Sequence, residues 1–275
     1  MKAARFEYAR PSNCLDAARL LRDSAGMGKV LSGGQSLGAL MNLRLAQPEL
    51  LVDVRAIDAL CGCVVEADAV TIGANTTHAA IEDGHVTDPT GGLMPYVAAG
   101  IAYRAVRNRG TLGGSLAHAD PAADWVNLMA LLDAQFRLEG LDGARTVESA
   151  DWMAGAFTTA LREDEILTAV RIPTLSPAAR WSYYKVNRKT GEFAEAIAAI
   201  IDDPARALRR GLIGATEGVP YVFPAGALID RWDGAVADAH LQAAGLTPDT
   251  YEYRIHKTAL SRAIAQIAPA GVRPA

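Results

Sequence analysis

The sequence predicts a chain of mixed helix and strand, built from two or three compact units. Three observations carry this. The 275 residues exceed one usual domain. The opening stretch, up to Val54, alternates strand and helix patterns. Beyond Pro173-Thr174-Leu175-Ser176-Pro177, the clearest linker, apolar strand patterns follow one another directly, as in an antiparallel meander.

In chain order, Arg5 to Tyr8 reads as a short strand. Leu15, Ala18, Leu21 and Arg22 follow helical spacing, with Ser12 or Asn13 as N-cap. Lys29 to Ser32 is a second strand running into Gly33-Gly34, and Leu50 to Val54 a third. The opening is therefore a small β-α-β unit. Val64-Val65 and Val70 to Ile72 suggest a hairpin through Glu66 to Ala69. Thr76 is placed to cap a helix from His78 to Glu82. A longer helix is expected over Leu93 to Arg107, stopped at Gly110. Gly113-Gly114 reads as another glycine turn, and Asp124 to Leu132 as a buried helix. Strands are expected near Gln135 to Leu138 and Ile166 to Ile172. After the linker, Trp181 to Asn187, Ala194 to Ile201 and Ala207 to Gly214 read as strands. Val236 to Ala244 and Tyr253 to Ile267 read as helices, and the tail from Pro269 to Ala275 as loose.

Half the residues are hydrophobic but only 6% are aromatic, so the core must be mostly Ala, Leu, Val and Ile. The net charge of −4 gives no electrostatic reason to expect nucleic acid or an anionic membrane surface. Charges interrupt the N-terminus at once, and no apolar run approaches membrane-spanning length, so a cytoplasmic protein is expected. The three cysteines, Cys14, Cys61 and Cys63, lack the spacing of a zinc or redox pair and are expected to be reduced thiols. The histidines are scattered, so neither a metal site nor a Ser-His-Asp arrangement is expected.

Two constellations carry chemistry. Val30-Leu31-Ser32-Gly33-Gly34-Gln35-Ser36-Leu37 lies where a strand ends. Its glycines lack Cβ atoms, so successive backbone N–H groups can converge on an anion, and Gln35 and Ser36 add side-chain donors. The pattern is neither G-x-G-x-x-G nor a P-loop, and an ordinary Gly-Gly turn is the alternative. The second is Thr111-Leu112-Gly113-Gly114-Ser115, followed by Ala119-Asp120-Pro121 and Asp124. Asp124 either caps the helix that it opens or accepts a hydrogen bond from a ribose hydroxyl. Two phosphate-type loops in one chain suggest a dinucleotide held in a crevice between subdomains.

Both loops resemble those of the FAD-binding medium subunits of the xanthine dehydrogenase and carbon monoxide dehydrogenase family of molybdenum hydroxylases. Further landmarks follow in the family's order: Asp164-Glu165-Ile166-Leu167 with Ile172-Pro173, then Lys185 with Arg188 and Gly191-Glu192-Phe193-Ala194, then Tyr253-Arg254-Ile255-His256. The resemblance implies an α+β fold. A PCMH-type FAD-binding domain of two subdomains, 1–57 and 58–175, would precede a C-terminal unit, 176–275, of antiparallel sheet plus helices, like that of carbon monoxide dehydrogenase flavoproteins. It also implies roles: Ser32 to Ser36 on the pyrophosphate, Thr111 to Ser115 on phosphate and ribose, and Asp124 on the nucleotide. Leu167 would present backbone groups near the isoalloxazine, with Lys185 close to the flavin and Phe193 against its face. For Leu167 and Phe193, core packing is the alternative.

The chain departs from the family at Glu192, where Asp is usual, and at Phe193, where relatives often carry Tyr or Trp. It also lacks the four-cysteine cluster loop of the benzoyl-CoA-reductase-type relatives. The implied function is electron transfer through FAD to an external acceptor. The implied partners are a small subunit with two [2Fe–2S] clusters and a large subunit with the molybdenum cofactor, in a heterotrimer or its dimer. The alternatives are a self-contained flavin oxidase or reductase of the same fold, and a scaffold without cofactor.

Overall fold

A computed structural model describes residues 2–269, and the rest of the expected tail lies outside the described residues. Its first sheet is parallel. β1 (Glu7–Ala9), α1 (Cys14–Asp23), β2 (Gly28–Leu31), α2 (Leu37–Asn42) and β3 (Leu50–Asp53) alternate, with sheet order β1-β3-β2. α1 buries Cys14, Ala17, Ala18 and Leu21, one stripe at helical spacing, and Asn13 caps it by accepting from the Asp16 N–H at 2.8 Å. Leu31 pairs with Asp53, so β2 and β3 end side by side. Open α/β sheets bind ligands at this carboxyl edge. Asp53 is fully buried there. Burial pulls its carboxyl up, but the Arg55 guanidinium and N–H and the Tyr8 hydroxyl outweigh that and hold it well below the usual carboxylate range.

The second unit runs through β4 (Cys63–Val65), β5 (Ala69–Gly73), α3 (His78–Glu82), α4 (Leu93–Ala99), α5 (Arg104–Arg107), α6 (Leu112–His118) and α7 (Asp124–Leu132). It continues with β6 (Gln135–Gly140), β7 (Gly143–Glu148), β8 (Met153–Gly155), β9 (Thr158–Thr159) and β10 (Ile166–Pro173). An antiparallel sheet in the order β4-β5-β10-β6-β7 carries it, and β8 and β9 form a separate pair. All nine residues of α7 are buried.

Three local expectations are corrected here. The helix expected over Leu93 to Arg107 is two helices. Ala102 takes a left-handed φ of 44° and Ile101 bridges to Gly191, so the backbone of 100–103 serves a tertiary contact instead of a helical turn. Thr77, not Thr76, caps α3, because its Oγ1 accepts from the Ala80 N–H at 3.1 Å. Gly113 and Gly114 form no turn but lie in the first turn of α6.

The third unit comprises β11 (Arg180–Val186), β12 (Ala196–Asp203), β13 (Leu208–Gly214), β14 (Tyr221–Pro224), α8 (Gly226–Asp230), α9 (Gly234–Ala243) and α10 (Tyr251–Ile267). Its strands form an antiparallel sheet in chain order. All eight residues of β12 are buried. Ile197, Ala199 and Ile201 face one way and join the core around α7. Ala196, Ala198 and Ile200 face the other and join the core under α8–α10. A strand covered on both faces explains the continuous apolar run Ala-Ile-Ala-Ala-Ile-Ile. Within α10, His256 reaches the Gly214 carbonyl, 3.0 Å away. Among the described residues, no helix is long and apolar enough to cross a membrane.

Candidate functional site

The two glycine-bearing segments meet. A Cβ on Gly33 would lie 2.2 Å from the Arg109 carbonyl oxygen and 2.8 Å from the Gly110 Cα, an approach that only glycine permits. Beside it, Ser32 Oγ lies 2.7 Å from Asn75 Oδ1 and 3.0 Å from Thr111 Oγ1. Val30 and Leu31 are half-buried in β2, and Leu37 opens α2. Gly34 has a φ of +72°, which turns the chain between them. Among the described residues, the backbone N–H groups of Gly33, Gly34, Gln35 and Ser36 have no hydrogen-bond partner. The Gln35 side chain folds back to donate to the Gly33 carbonyl at 3.2 Å. Four successive unpartnered N–H groups thus lie just past the carboxyl end of β2, in a parallel sheet.

The second segment is built differently. Thr111 caps α6, and its Oγ1 accepts from the Gly114 N–H at 3.1 Å. The Leu112 N–H donates to the Thr76 carbonyl and the Gly113 N–H to the Ala74 carbonyl, each at 2.9 Å, and the Ser115 N–H donates to the Thr111 carbonyl at 3.0 Å. Leu112 is buried in the core. A Cβ on Gly113 would lie 2.5 Å from the Ala74 Cβ, so this glycine lets α6 seat on the end of β5. With these N–H groups engaged, only Gly114, exposed, and Ser115, half-buried, remain accessible in the 111–115 segment.

Asp124 does not cap α7. Ala123 holds the cap position, and the buried Asp124 carboxylate reaches into the third unit. Its Oδ1 accepts from Tyr183 Oη at 2.9 Å and its Oδ2 from Lys185 Nζ at 2.8 Å. Burial pushes the Asp124 carboxyl up, while the Lys185 charge and the two hydrogen bonds oppose the rise. Burial, with the Asp124 charge beside it, also pushes the Tyr183 hydroxyl well above its ordinary value. Tyr183 and Lys185 are two residues apart on β11 and so share a face.

The Leu167 side chain lies in the core next to a β-bulge, where the Thr168 carbonyl accepts from the Ala74 N–H at 2.9 Å. Phe193 is 61% exposed, on the loop whose Gly191 bridges to Ile101. Asn75 and Tyr183 were not singled out in the sequence. For Tyr183 a signal existed, its alternation with Lys185. For Asn75 there was none. His78 is buried with its Nδ1 accepting from Trp125 Nε1 at 3.0 Å, and burial, aided by the Arg107 charge, drives its pKa down to about 4. It is a neutral packing residue.

Residues 4–175 match the family described as "FAD binding domain in molybdopterin dehydrogenase", and the chain belongs to that family. It is the FAD-binding subunit of an oxidoreductase. Among its relatives, the carbon monoxide dehydrogenase medium chain of Hydrogenophaga pseudoflava is 38% identical over 197 residues, covering 72% of this chain and 69% of that one. A solved carbon monoxide dehydrogenase from Hydrogenophaga pseudoflava, which lacks the Mo-pyranopterin moiety of its molybdenum cofactor, superposes with a TM-score of 0.86 at 30% identity, covering 97% of this chain and 98% of that chain. Quinoline 2-oxidoreductase from Pseudomonas putida 86 superposes with a TM-score of 0.83 at 31% identity, covering 97% and 98%.

Proposed function

We propose that this chain is the medium, electron-transferring subunit of a molybdenum hydroxylase. In this reading it takes electrons from the [2Fe–2S] clusters of a small partner and delivers them to an external acceptor. The organic substrate is oxidised at the molybdenum cofactor of a large partner, in a heterotrimer or a dimer of heterotrimers. The observation that carries it is the run of four successive unpartnered N–H groups where the two glycine segments meet. That donor set fits the FAD pyrophosphate, an anion that needs several converging N–H groups. Bound FAD supplies the redox chemistry, while the protein supplies binding, orientation and electrostatics.

Ser32 to Ser36 would hold the pyrophosphate. Gly114 and Ser115 would face the phosphate and ribose. Asp124 would accept from the nucleotide moiety while Tyr183 and Lys185 hold its carboxylate, and Lys185 would set a positive charge close to the flavin. Leu167 would line the isoalloxazine with backbone, and Phe193 would cover its face. The chain would divide into 1–57, 58–175 and 176–275, which would give each of the three larger sheets a unit of its own. Three cysteines are too few to ligate a [2Fe–2S] cluster held by four, which supports placing the clusters in a partner.

The purified chain is expected to carry one FAD, to release it into the supernatant on acid precipitation, and to oxidise no organic substrate alone. Co-purification from the native source should recover the large and small partners. Flavin retained on the denatured chain, with turnover of an organic substrate by the isolated protein, would identify a self-contained oxidase instead.

A further inference from the structure

The side chains where the glycine segments meet form one directed hydrogen-bond chain. Asn75 Nδ2 lies 2.9 Å from the Val54 carbonyl, which can only accept. The amide is thereby fixed, with Oδ1 facing Ser32. Oδ1 also can only accept, so Ser32 Oγ must donate to it across 2.7 Å. A hydroxyl has one hydrogen. The 3.0 Å contact between Ser32 Oγ and Thr111 Oγ1 must therefore run from Thr111 to Ser32. Thr111 Oγ1 in turn accepts from the Gly114 N–H. Every donor points the same way, from the start of α6 through the first loop to the end of β3, and aligned bonds of this kind strengthen one another.

Two consequences follow. The hydroxyl hydrogens of Ser32 and Thr111 are both committed inside the protein, so neither is free for a phosphate. Anion binding falls on the N–H groups of Gly33 to Ser36, and their placement depends on the chain of bonds behind them. Asn75 is the one member that ties this chain to β3, and its own N–H is anchored on the Leu60 carbonyl.

We propose that Asn75 is a positioning residue for the dinucleotide pyrophosphate: acting through Ser32, it fixes the first glycine loop against both β3 and α6. This rests on the reading of that loop as a pyrophosphate cradle. FAD reports on the whole site. ADP, which shares the pyrophosphate and adenosine and lacks the isoalloxazine, reports on the cradle and the nucleotide end without the flavin.

The test uses the full chain stripped of flavin, titrated with FAD and, in competition, with ADP. Asn75→Leu keeps the approximate size and removes both hydrogen bonds. It is expected to weaken FAD and ADP by the same factor, about tenfold, as for one or two lost buried hydrogen bonds. Ser32→Ala should weaken both similarly, and the double variant should be little worse than either single one, because the two residues act as a unit. Should Asn75→Leu not fold, Ser32→Ala and Asn75→Asp, which keeps the acceptor but loses the donor to Val54, carry the same comparison of FAD with ADP. Wild-type affinity for both ligands in a folded variant, with only the thermal midpoint of the flavin-free chain lowered, would overturn the proposal. So would effects that multiply in the double variant, or a loss confined to FAD. A wild-type chain that binds neither FAD nor ADP would bring down the cradle reading itself.

Discussion

Gly33→Ala is expected to leave the chain without flavin. The added methyl would sit 2.2 Å from the Arg109 carbonyl oxygen, 2.8 Å from the Gly110 Cα and 2.9 Å from the Arg109 carbonyl carbon. All three are backbone atoms, so no side chain can swing away to make room. The clash is relieved only by separating the two segments, which also pulls apart Ser32 and Thr111. Overpacking of this kind costs about 3 kcal/mol, on the order of 100-fold in affinity if it falls on the bound state. Gly34→Ala offers a contrast. Its Cβ would meet only Leu31 Cδ1 at 3.2 Å, but its φ of +72° adds backbone strain of about 1 kcal/mol. Flavin content after gel filtration should therefore fall in the order wild type, Gly34→Ala, Gly33→Ala. A Gly33→Ala protein that elutes with one FAD per chain would show that the segments do not need their close approach.

Lys185→Met should be the most destabilising single change at the seam between the second and third units. It leaves the Asp124 carboxylate buried with only Tyr183 as partner. Removing one member of a buried ion pair costs about 3–5 kcal/mol, because the remaining charge is uncompensated. The sign of the pH dependence follows from the groups present. Burial already pushes the Asp124 carboxyl up, and Lys185 is the strongest influence opposing it. Without Lys185 the carboxyl rises further and takes up a proton at higher pH, which removes the buried charge. The loss of thermal midpoint relative to wild type should therefore be greatest at neutral to alkaline pH and shrink as the solution is acidified. Adding Asp124→Asn should restore most of the stability. A deficit that stays constant with pH would mean that Lys185 contributes packing and not charge.

How much of this was legible in sequence depended on distance along the chain. Local patterns sufficed for the three strands and the first helix of the opening, the β4–β5 hairpin, and β12 with its continuous apolar run, whereas the short α2 gave no signal. They sufficed equally for placing a glycine loop at the end of β2. They failed where a tertiary contact overrides local preference. Leu93 to Arg107 is mostly helix-forming apart from Pro95 and Gly100, yet the chain breaks after Gly100 because Ile101 bridges to Gly191, ninety residues on in the chain. Gly113-Gly114 looks like a turn, but at least Gly113 is bare because α6 packs on Ala74. The partners of Asn75 and Tyr183 were illegible for a related reason. These, Ser32 and Asp124, lie 43 and 59 positions away, and nothing in an isolated Asn or Tyr encodes such a partner.

The double-sided burial of β12 bears on how such a subunit can change over time. Its Ile197, Ala199 and Ile201 belong to the same interior as Trp125 and Leu128 of α7, so the seam between the second and third units is a shared interior and not a hinge surface. A lineage cannot shed the third unit and keep a smaller flavoprotein, because the deletion would strip one wall from the preceding fold and expose a broad apolar face. Nor can it exchange that unit freely, since any replacement must match the relief of α7 and supply a partner for Asp124. Length variation is admitted elsewhere, at the β6–β7 and β13–β14 turns, whose residues are half-buried or exposed and where added residues meet solvent instead of another layer.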